Sequence, residues 1–219
     1  MFVGHFAVAL AAKRAEPKLP LAVLFAAVQF LDILWPLLVL LGVEHSRIVP
    51  GITAASPLDL YDIPYSHSLV MSLLWSLLFA APWWLRRQAR TALLVGGCVF
   101  SHFVLDWITH RPDLPLWPGN PAKLGLGLWN SLGAAIAVES ALFALGIWRY
   151  LGGTRATTRL GSTGFWALVL VLLAGWLSGV FAPPPPSIQA VTVSALIAIP
   201  VFLAWAWAID RGRVPLTDD

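Results

Sequence analysis

Apolar residues fill six long stretches of the chain, residues 19–43, 68–85, 91–109, 124–151, 164–181 and 188–209, while polar residues gather in the connections between them. A bilayer core about 30 Å thick needs roughly 20 apolar residues per spanning helix, and each stretch is of that order. The pattern predicts an all-α integral membrane protein, a six-helix transmembrane bundle. Residues 1–12 are apolar as well, but as a helix they reach only about 18 Å, so they should form a short N-terminal membrane helix that does not span. Residues 44–66 make the one sizeable loop, and the prolines within 183–186 form a stiff turn between the last two spans. No internal repeat is visible, which weakens a transporter built from inverted halves. Residues 1–219 therefore read as a single polytopic membrane domain, with 164–209 supplying its two C-terminal spans.

Composition agrees with this reading and excludes others. Charged residues are 11% of the chain and hydrophobic residues 58%, where a soluble domain carries roughly 25% charge. The sequence pI is about 9.4, yet the basic residues sit in short groups between apolar runs, so no nucleic-acid binding is expected and they read as topology signals. Lys13, Arg14, Lys18, Arg86, Arg87, Arg90, Arg149, Arg155, Arg159, Arg211 and Arg213 fall on one side by alternate connections; Arg47, Arg111 and Lys123 fall on the other. Positive loops stay in the cytoplasm, which predicts a cytoplasmic C-terminus, a cytoplasmic Lys13–Lys18 segment and an outward 44–66 loop. The lone Cys98 lies in an apolar run and reads as a small buried filler. The first apolar stretch has its charges after it rather than before it, so it should stay in the mature protein.

Ionisable side chains inside membrane helices cost at least a few kcal/mol, so each needs a partner or a task. His5, Asp32, His102, Asp106 and Glu139 stand out, with His67 and His110 at the ends of their helices. In SHFVLDWITH, His102, Asp106 and His110 recur every four positions, which puts them on one helix face. Imidazole and carboxylate at that spacing can ligate one metal, or one can orient the other. Counting about 1.5 Å per residue from the basic boundaries places His5 about 12 Å deep, Asp32 and His102 about 18 Å, Asp106 about 24 Å and His67 about 28 Å. Two levels result, for two ions or for one ion with an acid/base group. Glu139 falls near the depth of His5, to pair with it, act as a general base or stay protonated. His110, Asp59 and Asp62 read as solvated, Asn130 as a polar contact for substrate, and Gly125 and Gly127 as close helix packing.

Four stretches together resemble a known family. They are GHFAVALAAK with His5, QFLDILWP with Asp32, YSHSL with His67, and SHFVLDWITHRPDLPLWPG with His102, Asp106 and His110. They are similar to the bacterial inner-membrane metal-dependent hydrolases also described as LexA-binding, inner-membrane-associated hydrolases. The resemblance covers residues 1–130. Of a histidine-arginine-glycine-x-threonine-histidine-serine stretch common in that family only His67 and Ser68 remain, which marks a divergent member. The resemblance implies a multi-pass protein of the bacterial inner membrane with hydrolase activity.

The reading that follows is a metal-dependent hydrolase. A divalent metal, zinc by its mixed imidazole and carboxylate ligands, is held by His5, Asp32, His67, His102 and Asp106. Glu139 and His67 are the candidate catalytic residues. The substrate is an ester, amide or phosphoester, small or lipid-linked, reached from the outer side. A transporter or proton relay built on the same residues is the second reading, and a structural membrane protein the third.

Overall fold

The computed structural model describes residues 1–216. Eight α-helices occur among these residues: α1 (Val3–Ala15), α2 (Leu21–Val28), α3 (Phe30–Leu40), α4 (Leu69–Leu85), α5 (Ala89–Thr109), α6 (Leu132–Leu151), α7 (Phe165–Phe181) and α8 (Ile188–Asp210). Four are long and apolar enough to cross a membrane: α5, α6, α7 with the turn that precedes it, and α8. A fifth span results if α2 and α3 are taken together.

The expected six spans are therefore corrected, for two local reasons. Residues 19–43 do not form one rod. The chain leaves helical dihedrals at Gln29 (φ −100°, ψ 6°), and α2 and α3 meet at a 53° bend. Pro36 adds to the irregularity, since it lacks the N–H that would bond the Asp32 carbonyl one turn earlier. The second stretch starts its helix only at Leu69 and ends after 17 residues, about 26 Å, short of the roughly 30 Å that a spanning helix covers.

The outer faces of these helices stay apolar. Leu77 is 70% exposed, Leu85 81% and Ile197 64%, as expected where lipid rather than water is the neighbour. The short α1, by contrast, is the centre of the molecule: Val3, Phe6, Ala9 and Leu10 are buried, and the helix packs along α6. Gly146 permits this approach, because a Cβ there would stand 2.6 Å from the Ala7 carbonyl oxygen. Helices α4 and α5 meet through small residues in the same way, with Gly96 against the Ser76 carbonyl and Ser72 and Ser76 buried.

Basic connections converge at one end, as their alternation requires. Lys13 Nζ donates to the Leu19 carbonyl at 2.8 Å and to Asp210 at 2.9 Å, and Arg90 donates to the Ala15 carbonyl. There too β5 (Thr154–Ala156) pairs antiparallel with β6 (Arg213–Pro215). The other end carries a hairpin, β1 (His45–Ile48) with β2 (Leu58–Asp62), and the small pair β3 (Leu114–Pro115) with β4 (Lys123–Leu124). The 44–66 segment is thus an ordered cover, tied down by the Ala55 N–H on the Trp129 carbonyl. Gly125 and Gly127 are turn residues rather than helix-packing ones: Gly127 has φ 74°, and a Cβ at Gly125 would overlap the Arg111 carbonyl oxygen, 2.1 Å away.

Candidate metal centre

Asp106 is the hub of the polar cluster, and each residue around it arrives by a different element. Its own helix α5 presents His102 one turn below and His110 one turn above, Nε2 at 3.1 Å and 3.6 Å from the carboxylate, because side chains four apart share a face. Helix α1 brings His5 Nε2 to 3.1 Å from Oδ1. The Met1 amino group also donates to Oδ1, at 2.6 Å. The turn before α4 brings His67 Nε2 to 3.7 Å from Oδ2. Asp32, on α3, stands 3.6 Å from both His67 Nε2 and His102 Nε2.

The two levels expected from depth counting are one level here. Rise per residue locates a side chain only along a straight helix, and the chain is bent at both places that matter. The break at Gln29 swings Asp32 toward α5, and residues 63–68 turn inward before α4 begins, carrying His67 down to Asp106.

Hydrogen bonds fix the tautomers of three histidines. His102 Nδ1 lies 2.6 Å from the Val28 carbonyl, which stands at the helix break. A carbonyl only accepts, so Nδ1 carries the proton and Nε2 of the neutral ring carries a lone pair. His67 Nδ1 lies 2.7 Å from Ser66 Oγ, whose hydroxyl donates in turn to Glu44 Oε2 at 2.6 Å. The hydroxyl proton is committed, so His67 Nδ1 is the donor and its Nε2 also faces the site as a lone pair. His110 Nδ1 donates to Asp113 Oδ1 at 3.1 Å, with the same result.

Three lone pairs thus converge on the oxygens of Asp32 and Asp106, which are acceptors themselves. His102 Nε2 makes the conflict explicit: it is buried, it lies 3.1 Å from Asp106 Oδ2, and it makes no hydrogen bond. A cation or an added proton between these atoms removes the repulsion. The donors fit a divalent transition metal on two counts. They are imidazole nitrogen and carboxylate oxygen, the set such ions prefer, and the ligand atoms of His5, His102 and Asp106, and of Asp32, His67 and His102, lie within 4.8 Å of one another in each trio. Because His102 Nδ1 is held by Val28, both trios draw on the same Nε2 and cannot both be filled through it.

His5 differs from the other three. Its ring stacks on that of His102 at 3.7 Å with 3° between the planes; its Nε2 bonds Asp106 and its Nδ1 has no partner. Glu139 meets the chain elsewhere: Oε2 accepts the Phe2 N–H at 2.9 Å, at the start of α1.

Several polar residues depart from the sequence expectation. His110 is buried, stacked on Trp129. Asp59 is buried too, paired with Arg47 at 2.7 Å and with Arg111, while Asp62 pairs with His45 in a more exposed setting. Asn130 is exposed, and its neighbour Trp129, not Asn130, faces the cavity. Sequence reasoning missed Glu44, Ser66, Asp113 and the Val28 carbonyl. Ser66 and Asp113 carried a faint signal, each within three positions of a site histidine; Glu44 carried none, since it lies 22 residues from Ser66 in the chain.

Residues that orient a ligand's far nitrogen tune affinity by about 10–100-fold. If the cluster holds an ion, replacing Ser66 by alanine is accordingly expected to weaken its affinity by about that factor, measured by competition with a chromophoric chelator, while leaving the helical signal in circular dichroism unchanged.

A cavity of about 640 Å³ adjoins the cluster and is lined at that end by Asp32, His67, Asp106, His110 and Glu139. Asp32 is the cluster's open side, its side chain 34% exposed where that of Asp106 is 3% exposed.

A model of the YdjM inner membrane protein family matches residues 1–183. No curated protein and no solved structure matches the chain.

Proposed function

For a chain that belongs to the YdjM inner membrane protein family, we propose a membrane-embedded, metal-dependent hydrolase acting on an ester, amide or phosphoester. One observation carries this reading: imidazole lone pairs with tied-off Nδ1 atoms converge on two carboxylates at the end of a cavity. We assign Asp32, His67, His102 and Asp106 to a single divalent ion, zinc by ligand type, with His5 holding Asp106 Oδ1. Such an ion, when bound, lowers the pKa of water and polarises an acyl or phosphoryl oxygen.

The remaining work belongs to the protein. Water adds its oxygen to the carbonyl carbon or phosphorus, the bond to the leaving oxygen or nitrogen breaks, and the water's proton passes to the leaving group. Glu139 lines the same cavity as Asp106 and is assigned as the carboxylate that takes this proton, its other function being to hold the start of α1. His67, fixed by Ser66 and Glu44, sets the substrate's approach on the Asp32 side. The buried apolar residues of α1, Val3, Phe6 and Leu10 among them, are assigned to exclude bulk water from that side of the site.

The test is hydrolysis of a p-nitrophenyl ester by the purified full chain. Chelation is expected to abolish it and added zinc to restore it, with Asp106→Ala inactive under both conditions; chelator-insensitive cleavage overturns the reading. A proton relay remains the second reading because Arg47, Asp59, Arg111, Asp113 and His110 link Asp106 to one surface. Proton flux through liposomes holding the protein, absent in Asp113→Ala, is its signature.

We further infer that the basic end is cytoplasmic, from eleven basic residues against three. A cysteine introduced at the exposed Ala54 is expected to react with an impermeant thiol reagent in whole cells, since the native Cys98 is buried. Reaction only after lysis reverses the orientation.

A further inference from the structure

The 640 Å³ cavity has two chemically different ends. The polar groups crowd at the His/Asp cluster. Away from it the walls come from α7 and α8, through Gly175, Gly179, Ala190, Ser194, Ala195 and Ala198, and from the proline turn between those helices. Although joined by so short a turn, α7 and α8 touch each other little. Helix α8 lies instead on α2 and α3. Small side chains and a splayed hairpin together leave the space that the cavity occupies.

Its occupant must match those walls. Water makes too few hydrogen bonds in an apolar space to be held there, and a peptide or sugar would bring polar groups that the walls leave without partners. An apolar chain with one polar terminus satisfies both ends. The volume lies within the range of roughly 300–1,000 Å³ found for small-molecule pockets in general. The source is set by the surroundings: α7 and α8 are spans, and their outer positions Leu170, Leu177, Val193 and Ile197 are exposed and apolar, so the molecules on the far side of these walls are lipids.

We propose that this cavity takes the acyl chain of a membrane lipid, with the lipid's ester or phosphoester end against Asp32, His67 and Asp106. The proposal rests on the hydrolase reading only for what happens at that polar end; the tail site stands on the cavity itself. It also assigns selection of the tail to α8, which lies beyond the residues that the family model matches.

The test is photolabelling of the full chain in nanodiscs with a phosphatidylethanolamine bearing a diazirine near the end of one acyl chain, followed by peptide mapping. Labels are expected on Gly175, Ala195 and Ala198. Ala198→Trp should reduce labelling at Gly175 and Ala195 about tenfold, because an indole fills the space. Ile197→Trp, on the outer face, should leave it as in the wild type. Ser194→Leu fills the cavity with a smaller change and serves should the tryptophan variant not fold. Labels confined to outward positions such as Leu170 and Val193, equal labelling of all variants, or labelling by a free diazirine fatty acid but not by the phospholipid each overturn the proposal. Labelling does not require turnover, so failure of ester cleavage with the cavity labelled removes the hydrolase reading alone.

Discussion

Purified without chelators, the protein is expected to carry close to one equivalent of a divalent transition metal, and Asp106→Ala about a tenth of that or less, as read by elemental analysis. The expectation follows from the number of groups that the one carboxylate serves. Asp106 lies within 3.7 Å of His5, His67, His102 and His110, and two of its neighbours, His67 and His102, also reach Asp32. Removing it takes away a ligand and at once the charge that makes the site attractive to a cation. Trimming His102 should have a similar effect, because its Nε2 belongs to both trios of donor atoms. Loss of His5, which bonds Asp106 rather than offering a fixed lone pair, should leave a larger fraction of the metal. Wild-type protein with metal below about a tenth of an equivalent ends the metal reading.

Thermal stability separates a metal site from a merely packed cluster and is expected to show the second large effect. If the cluster binds an ion, metal at about a hundredfold excess over Kd stabilises the folded wild type by about 2.7 kcal/mol, since the ion binds only the folded state. Asp106→Ala should show no such increment. In addition it leaves the buried Met1 ammonium without its counter-charge, and breaking a buried pair in this way costs about 3–5 kcal/mol. The double variant His102→Leu/Asp106→Leu discriminates further. Apolar replacement of both members of a structural pair is close to neutral, whereas at a metal site the variant loses the whole metal-dependent increment. A wild type that melts at the same temperature with and without metal, together with a double variant of equal stability, would show that the cluster serves packing alone.

Both experiments examine residues that differ in how they were legible. His102, Asp106 and His110 were found from spacing alone, because a helix repeats its face every four residues and α5 is a regular helix over its whole length. The burial of His110 was not legible, because the Pro-rich segment after it folds back to place Trp129 against its ring. The sequence marks Asp32 and His67 as costly in a membrane, but rise per residue sets them about 10 Å apart in depth where the fold brings them to 3.6 Å. Gln29 carries no sequence mark of a helix break, and the partner that the Val28 carbonyl finds at the break, the His102 Nδ1–H of α5, is 74 residues away in the chain. Ser66 and Glu44 meet only once the hairpin of β1 and β2 has formed.

What the sequence by itself determined is the membrane character, the short first helix and the gathering of basic residues at one end. Each depends on local apolar length or on local charge, which need no partner to be read. Tertiary structure decided the rest. It reduced six apolar stretches to four clear spans and one bent pair, brought residues from α1, α3, α5 and the turn before α4 to one carboxylate, and opened a cavity between α7 and α8. The reason is physical: hydropathy records how far a segment prefers lipid to water, whereas the place at which a helix breaks is set by which distant group satisfies the freed backbone.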